Sequence, residues 1–262
     1  MPSKQKNSSF CLCPLASGSK GNSVFVSTSD TAVLVDAGLS GIETERRLAA
    51  VGESPDRLKA IIITHEHTDH IKGAGILSRR FNIPVYLTRE TYRACKGLGK
   101  IELLNFFECG SAFEIGELTV NPFSISHDAC DPAGLTLSYG GKKIGIATDL
   151  GVATNLVKTH LSHSNALYLE SNHDPRMLVE GPYPWHLKQR IKSRTGHLSN
   201  YDARDLIVEL HHHELDHVIL AHLSEENNCP KKAAHEVAKG LNGSHTALYV
   251  AGPDRPGEMI RL

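Results

Sequence analysis

Four metal-ligand side chains stand within six residues of this chain: His65, His67, Asp69 and His70 in the run His65-Glu66-His67-Thr68-Asp69-His70. Imidazole nitrogen and carboxylate oxygen are donors that zinc and similar divalent ions accept. The chain has 16 histidines in 262 residues, and scattered histidines would not cluster this densely. Three further donors each follow an apolar run. His127 follows Phe123-Ser124-Ile125-Ser126, Asp149 follows Ile144-Gly145-Ile146-Ala147-Thr148, and His222 follows Val218-Ile219-Leu220-Ala221. The carboxyl ends of strands are where layered α/β proteins place their sites. The chemistry this pattern points to is metal-assisted hydrolysis, with no serine or cysteine nucleophile required.

The elements that must position these residues can be read from apolar spacing. The unbroken run Ala60-Ile61-Ile62-Ile63 predicts a strand buried on both faces, directly before the cluster, and residues 71–81 predict the helix after it. Strands are expected at 10–16, 24–26, 32–35, 83–86, 118–123, 134–139, 143–147, 166–169, 218–221 and 247–250. Gly140-Gly141 predicts a tight hairpin. Helices are expected at 42–51, 90–96, 152–159, 200–210 and 231–241, with an irregular to helical stretch at 174–195 interrupted by Pro175, Pro182 and Pro184. Strand-rich sequence followed by repeated α/β units predicts a layered α/β domain, with sheets inside and helices outside. Residues 1–9 read as a flexible polar tail and 10–262 as one catalytic domain.

Composition narrows the setting. The chain is 40% hydrophobic with a net charge of −1, so overall charge names no partner. Its six cysteines form no CxxC pair, which suits reduced thiols in the cytoplasm. Cys11 and Cys13 alternate along a strand and are expected to pack in the core. The apolar run near the N-terminus is short and contains Pro14, unlike a secretory signal, and no stretch reaches the ~20 apolar residues of a membrane span.

The HxHxDH run, followed in order by His127, Asp149 and His222, resembles the metallo-β-lactamase superfamily; Asp36, in Leu34-Val35-Asp36-Ala37-Gly38, resembles its first motif. The resemblance implies a four-layer αββα sandwich of two mixed sheets with helices outside. It implies two divalent ions, zinc first, with manganese or iron as alternatives. His65, His67 and His127 would hold one ion and Asp69, His70 and His222 the other. Asp149 would bridge them, and Asp36 would support the ligand loop. Two such ions lower the pKa of a shared water toward about 7, giving a bridging hydroxide.

Within the superfamily, two segments resemble the ribonuclease Z-like phosphodiesterases. Glu170, in Glu170-Ser171-Asn172-His173-Asp174, and His197, in Gly196-His197-Leu198-Ser199-Asn200, match an acid–histidine pair that assists the leaving group. Asp69, Glu170 and His197 are thereby assigned to catalysis. Together with Ser17-Gly18-Ser19-Lys20-Gly21-Asn22-Ser23 and Ser126-His127-Asp128-Ala129, these segments resemble the bacterial YycJ/WalJ-type exonucleases. That family implies 5′→3′ digestion of double-stranded DNA. The glycine loop, with Ser19, Lys20 and Asn22, would bring backbone N–H groups to a phosphate. His173 is a further substrate contact. The basic run 185–194 supplies Lys188, Arg190, Lys192 and Arg194 for phosphates, with Tyr183 or Trp185 to stack a base. His211-His212-His213 ends a helix away from the motif residues. A thioester or lactone hydrolase of glyoxalase II type, using the same metals, is the alternative. A non-enzymatic module is disfavoured by the complete ligand set.

Overall fold

A computed structural model describes residues 9–262. Apart from Ser9, the expected N-terminal tail lies outside the described residues. The chain forms two seven-stranded mixed sheets packed face to face. The first contains β1 (Cys11–Ala16), β2 (Ser23–Ser27), β3 (Ala32–Val35), β4 (Leu58–Ile62), β5 (Val85–Leu87), β6 (Leu104–Phe106) and β14 (Ile260–Arg261), in the order β14-β1-β2-β3-β4-β5-β6. The second contains β7 (Phe113–Ile115), β8 (Leu118–Ser124), β9 (Ala133–Tyr139), β10 (Lys142–Ala147), β11 (Ala166–Glu170), β12 (His217–Ala221) and β13 (Ala247–Val250), in reverse chain order. Helices α1 (Gly41–Ala50), α2 (Thr68–Ile71), α3 (Ala74–Phe81) and α4 (Arg89–Ala94) accompany the first sheet in sequence. Helices α5 (Asn155–Leu161), α6 (Pro175–Glu180), α7 (Trp185–Ile191), α8 (Asn200–Leu210) and α9 (Pro230–Leu241) accompany the second.

Burial on both faces explains the unbroken apolar runs. In β1, Leu12 joins the core between the sheets while Cys13 and Leu15 face the helices. The inter-sheet core brings Val33, Val35 and Ile62 against Leu135, Leu137, Ile146 and Tyr168. Two outer cores complete the four layers: Phe25, Leu34 and Ile61 with Leu48 and Leu77 on one side, and Leu167, Leu169 and Leu220 with Val157, Leu206 and Val237 on the other. Each fully buried Leu, Ile or Val contributes about 1.5–3 kcal/mol of transfer free energy. Cys11 and Cys13 are buried as expected, and all six cysteines are free.

Two expected helices change. The helix expected at 71–81 is two, α2 and α3, separated by Lys72-Gly73. Helix α2 begins inside the cluster, so Asp69 and His70 stand on its first turn. The helix expected at 152–159 begins at Asn155, because Thr154 accepts the Val157 N–H as its cap and leaves 151–154 as a loop. The short strands β6, β7 and β14 were not expected. Among the described residues, no helix is long and apolar enough to cross a membrane.

Candidate metal centre

Parallel strands deliver the site. β3 and β4 run parallel in one sheet, and β10, β11 and β12 in the other. Their carboxyl ends place Asp36, the 64–70 run, Asp149, Glu170 and His222 at one mouth of the sandwich. Asp36, Asp149 and His222 adopt left-handed backbone, with φ of 61°, 56° and 55°. This conformation is uncommon outside glycine, and it turns each side chain sharply off its strand. Gly38 permits the tightest approach: a Cβ there would lie 1.6 Å from the Asp69 carbonyl oxygen.

The donor atoms converge in two groups that share Asp149 as a neighbour. In the first, His67 Nδ1 lies 3.0 Å from His65 Nε2 and 3.3 Å from His127 Nε2. In the second, Asp69 Oδ2 lies 3.6 Å from His70 Nε2 and 3.7 Å from His222 Nε2. Asp149 stands between them, its Oδ1 3.7 Å from His127 Nε2 and its Oδ2 3.2 Å from His70 Nε2. Within each of the triads His65/His67/His127, Asp69/His70/His222 and His65/His70/Asp149, the ligand atoms lie within 4.8 Å of one another.

The surrounding hydrogen bonds decide which nitrogen faces inward. Asp36 Oδ2 accepts from His70 Nδ1 at 2.8 Å, and the Asp36 carboxylate also accepts from the Thr64 backbone and hydroxyl. A carboxylate can only accept, so His70 Nδ1 carries the hydrogen and Nε2 turns its lone pair to the cluster. Glu170 Oε1 does the same for His222, accepting from Nδ1 at 2.9 Å. Among the clustered donor atoms, His222 Nε2 and Asp149 Oδ2 are buried without a hydrogen-bond partner. Converging lone pairs with orphaned acceptors are what a divalent cation satisfies, and the donor set fits one.

The ligand imidazoles divide electrostatically: burial opposes charge on His70, but Asp36 and Asp149 hold its pKa well above the ordinary value, while two others are lowered. Burial, reinforced by the neighbouring His70, drives the His65 pKa well below the ordinary imidazole value; burial also lowers that of His127. Both are neutral ligands at neutral pH. His222 is opposed by burial, yet Asp149, Asp69 and Glu170 push it up to about 10. A dication competes with that proton for the same lone pair.

Glu170 is completely buried and fully engaged. Its Oε1 accepts from His197 Nδ1 at 2.8 Å, and its Oε2 accepts from the Leu150 and Leu198 backbone at 2.9 Å each. It stands behind His197 and His222, bonded to both rings and out of contact with solvent. Asp149, Glu170, His197 and His222 also cluster closely, but the two imidazole hydrogens already occupy Glu170. The Ser199 side chain accepts from Asp202 N and the Asp202 carboxylate from Ser199 N, a reciprocal box that starts α8 and fixes the backbone beside His197.

The expected substrate contacts separate. Ser19 lines a cavity of about 170 Å³ with Tyr183, Arg190, His197 and His222. His173, Lys192 and Arg194 line a second cavity of about 390 Å³ on the other side of His197. His173 is 4% exposed, and its Nδ1 has no partner. Four of the expected contacts are bonded within the protein. Asn22 is buried and turns its amide to Asp69 and His70. Lys188 donates to the Val179 and Gly181 carbonyls at the end of α6, and Arg190 pairs with Asp128 at 2.5 Å. Lys20 is exposed but bonded to Glu225. Trp185 is 73% exposed. The sequence reading did not single out Thr64, whose hydroxyl joins Asp36 and lies 3.0 Å from His65 Nδ1. Its position between a buried strand and the histidine run was the available signal.

Residues 16–179 match the model of the metallo-beta-lactamase superfamily. The chain is 39% identical to exodeoxyribonuclease YycJ of Bacillus anthracis over 230 residues, 87% of each protein. It is 38% identical to exodeoxyribonuclease WalJ of Streptococcus pneumoniae over 226 residues, 84% of each. The metallo-β-lactamase-fold protein YhfI from Bacillus subtilis superposes with a TM-score of 0.74 at 15% identity, over 98% of this chain and all of that one. With that motif match, that fold and that donor set, the chain belongs to the metallo-β-lactamase superfamily and is a metal-dependent hydrolase.

Proposed function

We propose that the protein is a nuclease that removes nucleotides 5′→3′ from double-stranded DNA, using two divalent ions, zinc in the first instance. His65, His67 and His127 would hold one ion and Asp69, His70 and His222 the other, with Asp149 serving both. Such ions supply Lewis acidity and an activated water. Protonating the leaving oxygen falls to the protein.

The observation that carries the choice of substrate is the Glu170–His197 pair beside the cluster. A thiolate leaves readily unprotonated, since a thiol has a pKa of about 8.5. A sugar alkoxide, whose parent alcohol resembles water at about 16, needs a proton. Glu170 holds His197 Nδ1, which leaves Nε2 as the free nitrogen of a ring that lines both cavities. Burial opposes the charged form of His197, but Glu170 outweighs it and raises the pKa. This arrangement favours a phosphodiester over a thioester; a lactone also expels an alkoxide, and against it stands the similarity to exodeoxyribonucleases. The 39% identity to an exodeoxyribonuclease supports DNA in particular.

The substrate contacts that fit this reading are Ser19 and Tyr183 in the smaller cavity, and His173, Lys192 and Arg194 in the larger. The free cysteines suit a cytoplasmic enzyme. The test is turnover of end-labelled duplex DNA by zinc- or manganese-loaded protein beside Asp149→Ala. Stepwise loss from the 5′ end, absent in the variant, supports the proposal. Loss from the 3′ end would refute the polarity, cleavage of RNA alone would refute the DNA assignment, and thioester turnover without nuclease activity would refute the class.

A further inference from the structure

The glycine-rich loop between β1 and β2 was expected to cradle a phosphate with its backbone N–H groups. Three of those groups are occupied within the protein. Gly18 N donates to Asn22 Oδ1 at 2.9 Å, Gly21 N to the Gly18 carbonyl at 3.0 Å, and Asn22 N to the Asp69 carbonyl at 2.7 Å. The loop faces the ligands instead.

Asn22 is the hub. It is 4% exposed. Its carbonyl accepts from Gly38 N at 2.9 Å, so its backbone bridges the segment after β3 and the first turn of α2. The bond from Gly18 N fixes the amide oxygen, so Nδ2 must point the other way. There it donates to Asp69 Oδ2 at 3.1 Å and lies 3.0 Å from His70 Nε2. At the other end of the loop, Ser17 Oγ accepts from the His222 backbone N–H at 2.7 Å, holding the residue whose left-handed turn aims its ring. The loop therefore touches Asp69, His70 and His222.

The other triad is held differently. His65 Nδ1 meets Thr64 Oγ1, His67 stands at the N-terminal boundary of α2 with no side-chain cap bond, and His127 Nδ1 faces the Gly196 carbonyl at 3.4 Å. None of these supports comes from residues 17–22.

We infer that the Ser17–Asn22 loop selectively positions the Asp69/His70/His222 metal site, so that the affinities of the two ions can be separated by changes in the loop. Asn22 and Ser17 are positioning residues for that site alone. This rests on the two-ion reading above, but not on the identity of the substrate.

The experiment is a stepwise zinc titration of chelator-stripped protein against a chromophoric competitor, with metal content as a second readout. Wild-type protein should bind two equivalents. Asn22→Ala should keep one at unchanged affinity and bind the other about 10- to 100-fold more weakly, as loss of a partner that orients a ligand does. Ser17→Ala, a smaller change, should act in the same direction and reads the effect if Asn22→Ala does not fold. Lys20→Ala, in the same loop but exposed, should leave both steps intact.

A cycle assigns the weakened step. Asn22→Ala should weaken the one ion remaining in His67→Ala and add nothing to His222→Ala. Equal weakening of both ions, or no weakening by either loop variant, overturns the inference. A single equivalent in wild-type protein sinks the two-ion reading and the inference with it, a result distinct from selective loss failing in a two-ion protein.

Discussion

Glu170 holds His197 through a 2.8 Å hydrogen bond from Nδ1 to a carboxylate with no exposure to solvent. The same oxygen takes the Nδ1 hydrogen of His222 at 2.9 Å, so one buried acid ties a proposed metal ligand to the proposed proton donor. The consequence can be measured by varying the leaving group. His197→Ala should lose roughly 10²- to 10⁴-fold in kcat on DNA, the usual scale for a general acid. It should lose far less on a p-nitrophenyl phosphodiester, whose leaving group needs no proton. Equal losses on both substrates would show that His197 does not protonate the leaving oxygen. Glu170→Gln should damage turnover on both, because it disturbs His222 as well, and should lower bound zinc where His197→Ala does not.

Asp36 makes a second, separable prediction. It bonds His70 and Thr64 from beneath the cluster, and no sequence-assigned metal-binding role falls on it directly. Asp36→Asn keeps the shape but replaces one acceptor oxygen by an NH2 donor, so it no longer accepts from both the Thr64 backbone N–H and His70 Nδ1. Metal affinity should fall about 10- to 100-fold, measured by competition with a chelator. Thr64→Val should act in the same direction, and unchanged affinity in both would remove Asp36 from the ligand-orienting shell.

These residues show how far the sequence could be read. The seven proposed ligands, which the fold brings together, were legible because they follow apolar runs, and a strand largely buried on both faces leaves that run unbroken in β4, β10 and β12. Strands β6, β7 and β14 were not, being three, three and two residues long and too short to carry a periodic signal. The left-handed backbone at Asp36, Asp149 and His222 falls on residue types enriched in that conformation, but residue type alone does not locate it. Asn22 was assigned to substrate because a glycine loop suggests a phosphate cradle. Only the path of the chain shows that Gly38, lacking a Cβ, lets Asp69 pack onto that loop.

The loop has its own anchor, which predicts a dependence on pH. Arg47 of α1 donates to the Leu15 carbonyl at 2.8 Å, two residues before Ser17, and to Glu43 at 2.6 Å. Hydrogen bonds from Arg46, then Arg47, hold the Glu43 carboxyl down at about 2, against an ordinary 4.5. A depressed acid stabilises the fold above its unfolded pKa and loses that contribution as pH falls through the folded one. Wild-type protein should therefore exceed Glu43→Gln by about 1 kcal/mol at pH 7, the top of the range for a largely solvated pair. The difference should shrink between pH 4.5 and about 2. Urea unfolding of the metal-free proteins at both ends of that window decides it; a constant difference would mean that Glu43 acts through packing alone.

The basic run before His197 divides by function, and DNA binding should show the division. Lys188 closes the carbonyl end of α6 through Val179 and Gly181, and Arg190 is already neutralised by Asp128. Lys192 and Arg194 line the larger cavity with His173. Lys192→Glu and Arg194→Glu should each weaken duplex binding and reduce the slope of log affinity against log salt by about 1, the signature of one lost phosphate contact. Lys188→Ala should leave that slope unchanged and lower thermal stability instead, since it uncaps a helix. Fluorescence anisotropy across a salt series, on the catalytically silent Asp149→Ala background, separates the two. If Lys188→Ala changes the slope as much as the other two, the run acts as one undivided strip. If none of the three does, the DNA path lies elsewhere on the protein.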